Sequence, residues 1–218
     1  MKLHNAFRSS ASYRVRIALN LKGLDYEYRP VHLSRNGGEQ FTAEFRAMNP
    51  QSLVPVLQDG ERFLTQSLAI IEYLDETHPQ PPLLPREPVA RARVRALALA
   101  IACDMHPINN LRTLNYLTKQ LGVSDDAKNA WYRHWVALGF QALEAQLAGS
   151  RETGAFCHGD TPGLADCCLI PQLFNARRFQ CDISAYPTLL RIEQNCNALP
   201  AFQRAAPGQQ PDAEPPLK

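Results

Sequence analysis

Two adjacent serines, Ser9 and Ser10, stand where a predicted strand gives way to a predicted helix. Residues 2–7 have the pattern of a short strand, and Ser10 is a suitable N-cap for the apolar-periodic run that follows. The first-turn N–H groups of such a helix lack partners within the helix, and the helix dipole favours negative charge. A thiolate or carboxylate bound beside the two hydroxyls would therefore be stabilised. The alternative is that the serines only cap the helix.

Two further features are suited to holding a small peptide or its carboxylate. Val54 precedes Pro55 at the opening of a predicted strand. This bond is a candidate for the cis form, and the backbone of Val54 could pair with a ligand as an added strand does. Gln66 and Ser67 stand at another predicted helix start, where N–H groups, a hydroxyl and an amide suit a carboxylate. An ordinary edge proline and an ordinary helix cap are the alternatives.

Basic and amide side chains in the second half of the chain form a further candidate group. His106 and Asn110 are four residues apart, which places them on one face of a helix, and Arg112 follows. Arg178 stands near the end of a later predicted helix, next to Arg177. Cations and amides of this kind suit an acidic ligand. A solvent-exposed or structurally paired role is the alternative for each of them.

The elements that must position these residues divide the chain into two predicted domains. Residues 1–80 alternate strand and helix patterns in the order β-α-β-α-β-β-α, which predicts a compact α/β domain. Five prolines between His78 and Pro88 predict a linker, because proline cannot continue a helix. Residues 88–206 carry helical periodicity almost throughout and predict an all-α domain. The proline-rich residues 207–218 are predicted to be a tail.

Composition and charge exclude several classes of protein. The 218-residue chain is 45% apolar and has a formal net charge of +2, which argues against a surface that coats nucleic acid. No apolar run approaches the roughly 18 residues that span a bilayer, and an apolar signal core is missing at the N-terminus. We therefore expect a cytoplasmic protein without nucleic-acid or membrane partners. The six cysteines form no CxxC pair, so we expect free thiols and no metal site.

Taken together, the motifs resemble those of the zeta class of glutathione transferases. The class motif around the first helix is Ser-Ser-Cys-x-x-Arg-Val-Arg-Ile-Ala-Leu, and residues 9–19 match it except that Ala11 replaces the cysteine. The resemblance implies a thioredoxin-like glutathione-binding N-terminal domain, an all-helical C-terminal domain and a homodimer. It extends over nearly the whole chain through further family-like stretches at Asn49-Pro50, Gln66 to Leu74, His106 to Asn110, Arg177 to Phe179 and Gln210 to Asp212.

The resemblance also implies an activity and a set of residue roles. Zeta proteins include isomerases of aromatic catabolism, which convert maleylacetoacetate or maleylpyruvate to the fumaryl isomer with glutathione as a cofactor that is not consumed. Ser9 and Ser10 would approach the sulfur and, with Arg8, would be the catalytic residues. Glutathione would be held by Ser9, Ser10, Gln40, Val54, Gln66, Ser67, His106 and Asn110. The acidic keto-acid substrate would be bound by Arg8, Arg112 and Arg178.

Three departures from the family pattern bear on these expectations. Ala11 removes any role of the motif cysteine, Leu53 stands where related chains often carry glutamine, and Gly163 replaces the usual Ser or Thr helix cap. Two other functions stay open. The same thiolate could conjugate or dehalogenate small α-halo acids, or the chain could be a non-catalytic transferase-like dimer, an alternative to which Ala11 lends weight. The choice between the two maleyl keto acids also stays open.

Overall fold

The computed structural model describes residues 1–214, apart from the side chain of residue 36, and divides into two compact units. Among the described residues, the first unit contains residues 1–83 together with residues 197–214. The second unit contains residues 84–196.

A four-stranded mixed sheet is the centre of the first unit. Its strands follow the order β2-β1-β3-β4, where β1 pairs parallel with β2 and antiparallel with β3. The hairpin between β3 and β4 turns at Gly60, whose φ of 59° lies in the left-handed region that glycine adopts without steric cost. The strands are β1 (Lys2–Asn5), β2 (Glu27–Pro30), β3 (Val56–Asp59) and β4 (Arg62–Thr65).

Four α-helices accompany this sheet. Helix α1 connects the two parallel strands and packs against α3 and α9. Its apolar residues Val15, Ile17 and Leu19 are fully buried, and because Ile17 lies on the opposite side of the helix from the other two, α1 is buried on more than one face. The α-helices are α1 (Ser10–Leu21), α2 (Ala43–Met48), α3 (Ser67–Thr77) and α9 (Pro200–Ala205), and short 3₁₀ helices span Arg35–Gly37, Glu39–Phe41 and Pro207–Gln209.

The second unit is helical throughout its regular elements. Helix α7 is its most buried element and contacts α4. Across residues 1–214, every helix is too short or too polar to cross a membrane. The α-helices are α4 (Pro88–Leu99), α5 (Leu111–Lys119), α6 (Asp125–Ala148), α7 (Leu164–Arg178) and α8 (Pro187–Asn197), with a π-helix over Ala100–Met105 and a 3₁₀ helix over Pro107–Asn109.

This architecture confirms the predicted fold class of an α/β N-terminal part and an all-α part. The predicted order of strands and helices in the first unit is also observed, although the first strand ends at Asn5 instead of Phe7. Helix α7 begins at Leu164, so Gly163 takes the cap position that the family pattern gives it.

The last described residues differ from the predicted ranges. Residues 197–214 belong to the first unit, whereas the sequence suggested a helical domain to residue 206 and then a tail. Arg16 donates to the carbonyl oxygen of Ala205 at 3.0 Å. Gln210 is buried, and its Nε2 donates to two carbonyl oxygens at 2.8 Å, those of Arg204 and Ala206. The hydrogen bond of Arg16 joins residues far apart in sequence, and neither this bond nor the burial of Gln210 is visible in composition, which is why the proline content alone predicted a tail.

Candidate active site

The start of α1 is capped by Ser9 rather than by Ser10. Ser9 has the extended backbone of an N-cap (φ −67°, ψ 120°), and its Oγ accepts a hydrogen bond from the N–H of Ser12 at 3.3 Å. Ser10 is the first helical residue and is 4% exposed. The predicted cap was therefore wrong by one residue. Because a hydroxyl both accepts and donates, the partly exposed Ser9 can cap the helix and donate its proton to an anion.

The chain ahead of Ser9 is fixed by the buried guanidinium of Arg16. Its Nη1 donates to Asn5 Oδ1 at 2.9 Å and to the carbonyl oxygen of Ala6 at 3.3 Å. Its Nη2 donates to the carbonyl oxygen of Phe7 at 2.9 Å. Burial lowers the pKa of Arg16 from its usual value, but an arginine stays charged in proteins. A buried side chain of α1 therefore fixes residues 5–7, which lead into the two serines.

Arg8 lies between this segment and solvent. Its guanidinium carbon is 4.8 Å from the centre of the Phe7 ring. Its Nη2 donates to Glu214 Oε2 at 3.3 Å, and its side chain is 37% exposed. Arg8 is therefore one residue from the helix start and carries a cation that a solvent-borne anion can reach.

The start of α3 combines an unusual backbone with a buried cation. Gln66 is the N-cap residue, with φ +67° and no side-chain hydrogen bond to the helix, while Ser67 is the first helical residue. The alternative that Ser67 is an ordinary helix cap is therefore wrong. Ser67 Oγ instead accepts from Nη1 of the buried Arg14 at 3.2 Å. The unpaired first-turn N–H groups and this nearby cation both favour an anion.

The positive φ of Gln66 supports a functional role. A side chain at φ +67° costs on the order of 1–3 kcal/mol, and such residues cluster at ligand-binding sites. Gln66 is exposed, and its Nε2 donates to Gln51 Oε1 at 3.0 Å. The side-chain amide therefore lies at the surface beside the helix start.

Val54 and Gln40, the two other predicted glutathione-binding residues of the first unit, differ in their surroundings. The Val54–Pro55 peptide bond is cis, as the sequence suggested. Val54 packs against a small apolar cluster that includes Val31 and Phe45. Gln40 is buried, and its Nε2 donates to the carbonyl oxygen of Leu33 at 3.3 Å, whereas its Oε1 has no hydrogen-bond partner among the described residues. A buried acceptor without a donor is costly, so it fits a ligand N–H.

In the second unit, His106 and Asn110 lie side by side. His106 Nε2 is 3.2 Å from Asn110 Nδ2. The continuous helix predicted to carry both is interrupted, because a 3₁₀ turn that begins at Pro107 separates them. Asn110 is the N-cap of α5, and its Oδ1 accepts from the N–H of Arg112 at 3.0 Å.

The two arginines predicted to bind substrate from this unit are exposed. Arg112 lies in the first turn of α5, and Arg178 is the last residue of α7. The guanidinium carbon of Arg178 is 5.2 Å from the centre of the Phe179 ring. Its neighbour Arg177 forms an ion pair with Glu193 instead.

The cysteines of this chain supply no activated thiol in the second-unit core. Cys157 and Cys196 are buried, and burial raises the pKa of both thiols. All six cysteines are free, and Cys103 is exposed on the π-helix. Since a thiol with a raised pKa is a poor nucleophile at neutral pH, these buried cysteines are structural.

Gly163 at the start of α7 lacks a capping hydroxyl, and Asp166 takes over this role. Its carboxylate accepts from the N–H of Gly163 at 2.8 Å and from the N–H of Cys157 at 2.9 Å. Asp166 thus supplies the acceptor that a Ser or Thr cap would have provided. Burial raises the pKa of Asp166, and the two backbone hydrogen bonds oppose that shift.

Sequence reasoning missed the polar groups that surround the first-unit site. Arg14 was seen only as part of a motif, and Arg35 was not singled out. Asp212 lies in a family-like stretch, yet its contacts with Phe7 and Tyr28 span more than 180 residues of sequence. In the sequence, only the match of residues 210–212 with the family pattern could have indicated that Asp212 makes such contacts.

Comparisons with known proteins identify the family. Residues 3–82 match "Glutathione S-transferase, N-terminal domain" and residues 129–199 match "Glutathione S-transferase, C-terminal domain". The chain is 59% identical to a probable maleylacetoacetate isomerase of Vibrio cholerae over 97% of both chains. The chain therefore belongs to the glutathione S-transferase family.

Two solved structures narrow the class. The holo structure of a maleylpyruvate isomerase, described as a bacterial glutathione S-transferase in the zeta class, has a TM-score of 0.95 and 51% identity, covering 98% of this chain and 100% of that chain. A maleylacetoacetate isomerase of Methylobacterium extorquens AM1 with bound malonate and GSH has a TM-score of 0.94 and 44% identity, covering 99% and 100%. These likenesses place the chain in the zeta class.

Proposed function

We propose that this protein is a glutathione-dependent cis–trans isomerase that converts a maleyl keto acid, maleylacetoacetate or maleylpyruvate, to its fumaryl isomer in aromatic catabolism. The observation that carries the proposal is the serine-capped start of α1, one residue after the partly exposed cation of Arg8. Chains that are 51–59% identical to this one bear the names of such isomerases. A relative holds both GSH and the dicarboxylate malonate.

The first unit fits a peptide that carries carboxylates, N–H groups and a thiol. The start of α3 offers N–H groups beside Gln66 and Ser67 to a carboxylate. The backbone of Val54 is suited to pair with the peptide, and the buried Oε1 of Gln40 is suited to accept from a ligand N–H. His106 and Asn110 of the second unit are carried over from the family motif as further binding residues.

The sulfur end of the ligand belongs at the start of α1. When bound, glutathione supplies a thiol whose anion is the nucleophile for reversible addition to a conjugated double bond. A free thiol of pKa about 8.5 is only about 3% ionised at pH 7. Lowering that pKa by about 2 units stabilises the anion by roughly 2.7 kcal/mol. The hydroxyl of Ser9, the neighbouring Ser10 and the first-turn N–H groups supply donors of suitable strength.

The arginines act on the charge of the substrate. Negative charge grows on the substrate's conjugated oxygen as its double bond becomes single, and a fixed cation stabilises that charge most where it develops. Arg8 is the candidate for this role, and Arg8, Arg112 and Arg178 are the candidates that hold substrate carboxylates. All three guanidinium groups have exposed surface in the units that carry them.

We also infer a homodimer located in the cytoplasm. Phe63, Val89 and Leu99 are large apolar side chains that are 41%, 73% and 44% exposed in the single chain. Such residues suit burial against a second copy. Sedimentation equilibrium of the purified protein is expected to give twice the chain mass of 24.4 kDa.

The proposed activity is tested with the purified protein, catalytic glutathione and each maleyl keto acid in turn, by following the loss of substrate absorbance. We expect turnover of at least one substrate, and the ratio of the two kcat/KM values identifies the preferred one. No turnover of either substrate would overturn the proposal. Release of halide from an α-halo acid, with one glutathione consumed per product, would identify the conjugating alternative instead.

A further inference from the structure

The chain places one of its own carboxylates between two arginines beside the candidate active site. Glu214 Oε1 accepts from Arg35 Nη2 at 2.9 Å, and its Oε2 accepts from Arg8 Nη2 at 3.3 Å. One oxygen thus binds each guanidinium. This is the arrangement in which a pair of arginines recognises a single carboxylate group.

Glu214 follows a segment that is fixed to the first unit through Asp212. Asp212 Oδ2 accepts from the N–H of Phe7 at 3.3 Å, and the hydroxyl of Tyr28 donates to Asp212 Oδ1. Burial and this hydrogen bond raise the pKa of Tyr28, so the hydroxyl stays protonated and keeps donating. The anchor at Asp212 does not involve either arginine. Glu214 can therefore leave Arg8 while the rest of the segment stays attached.

The surroundings favour the arrival of another anion. A small cavity borders the ion pairs, lined in part by Arg8, His32, Ser34, Asp212 and Glu214. The side chains of Arg8 and Arg35 are 37% and 55% exposed, so a solvent-borne carboxylate can reach both cations. Exposed ion pairs are weak, and exchanging one carboxylate for another therefore costs little.

We propose that Arg8 and Arg35 form one carboxylate-binding subsite, which Glu214 occupies until a dicarboxylate ligand displaces it. The inference rests on the proposed function, because Arg8 is there assigned to the acidic substrate. It adds Arg35 as a second cation that selects for the substrate carboxylate. It also makes Glu214 a built-in competitor that lowers the affinity for every dicarboxylate.

The first test replaces Glu214 by glutamine, which keeps the side-chain size and the Asp212 anchor but removes the charge. The Kd for malonate, measured by calorimetry with saturating glutathione, is expected to fall roughly two- to fivefold, as the strength of exposed ion pairs implies. The KM for the keto-acid substrate falls by a similar factor while kcat is unchanged. The difference in malonate Kd between this variant and the parent becomes smaller as ionic strength rises, because salt screens the ion pairs of Glu214 with the two arginines. A chain ending at residue 213 is expected to behave as the glutamine variant does.

A matched control and an opposing variant complete the test. Glu61→Gln removes an equally charged but unrelated exposed side chain of the first unit, and it is expected to leave the malonate Kd unchanged. Arg35→Gln is expected to weaken malonate binding in the parent and in the Glu214→Gln background. If Arg35 merely held Glu214, Arg35→Gln would tighten binding instead, and the subsite would be wrong.

The remaining outcomes separate this inference from the proposed activity. Unchanged or weaker malonate binding in Glu214→Gln overturns the competitor role, whether or not the enzyme turns over keto acids. Tighter malonate binding without any isomerase turnover supports the subsite and contradicts the proposed function.

Discussion

The hydroxyl of Ser9 is assigned two interactions, one as an acceptor that caps α1 and one as a donor to the bound sulfur. It accepts from the N–H of Ser12 as a helix cap, and only its own proton is left for an anion at the helix start. The motif cysteine of the class is replaced by Ala11, so this chain places no thiol of its own on the first turn of α1. The serine hydroxyls and the helix N–H groups must therefore activate the bound thiol.

Removing the Ser9 hydroxyl should raise the pKa of the bound glutathione thiol. A hydrogen bond to a charged group is worth about 1.5–3 kcal/mol, which corresponds to a pKa rise of roughly 1–2 units in Ser9→Ala. The thiolate fraction at pH 7 then falls roughly three- to twenty-fivefold, so kcat/KM decreases by about that factor and recovers as pH rises. Ultraviolet titration of the thiolate in the binary complex measures the shift.

Two variants make this measurement specific. Ser9→Thr keeps a hydroxyl that caps and donates, so it should retain most of the activity. Ser10→Ala tests the buried neighbour in the same way and shows which serine is closer to the sulfur. An unchanged thiol pKa in both alanine variants would contradict the assigned role of this helix start.

At the level of elements, the starts of α3 and α7 do without the hydroxyl cap that Ser9 supplies to α1. Gln66 caps α3 without its side chain, and Asp166 caps α7 from the third helical position because Gly163 has no side chain. Asp166 also binds the N–H of Cys157, so one buried carboxylate joins a loop to the helix.

Asp166→Ala should therefore destabilise the second unit strongly. The substitution leaves two N–H groups without acceptors, at about 1–3 kcal/mol each, and opens a cavity, so we expect a loss of roughly 3–5 kcal/mol. Urea unfolding at neutral pH measures it. Asp126→Ala, an exposed residue in the first turn of α6, is the control and should cost well under 1 kcal/mol. Equal losses in both variants would show that the cap is unimportant.

The sequence predicted the elements well and their ends less well. The strand and helix order of residues 1–80 follows from periodicity and turn residues, and it is observed. Ser9 and Ser10 are equally good caps by type, so only the backbone angles decide between them. Similarly, periodicity predicts a helix through His106, but Pro107 lacks an N–H and a 3₁₀ turn begins there. The neighbouring positions of His106 and Asn110 survive this break.

At the scale of the whole molecule, residues of α1, of the segment before it and of β2 meet residues 205–212 in the first unit. Arg16 donates hydrogen bonds both to the carbonyl oxygen of Phe7 and to that of Ala205. The carboxylate of Asp212 accepts hydrogen bonds from the N–H of Phe7 and the hydroxyl of Tyr28. Such contacts join residues that are far apart in sequence, so neither periodicity nor composition could predict them. The residues of the candidate site could be proposed from motifs, one by one. The hydrogen bonds of Arg16 and Asp212 that fix the segment before Ser9 could not.

Truncation before Pro207 should therefore weaken the first unit. It removes the four hydrogen bonds of Gln210 and Asp212 along with the exposed pairs of Glu214, and at about 0.5–1.5 kcal/mol for each of the four the expected loss is roughly 2–6 kcal/mol. Hydrogen exchange of the amides in β1 and α1 should accelerate accordingly. Glu214→Gln alone should cost less than about 1 kcal/mol, because its pairs are exposed. Unaltered exchange after truncation would mean that the segment adds no stability.

The central claim is that glutathione acts as a catalyst at this site and is returned intact. The most direct measurement incubates the protein with excess maleyl keto acid and a small amount of isotopically labelled glutathione, then quantifies both by nuclear magnetic resonance. The account predicts fumaryl product in large molar excess over glutathione, with the label recovered as free thiol. Product that stops at one equivalent of glutathione, with the label converted to a conjugate, would contradict it.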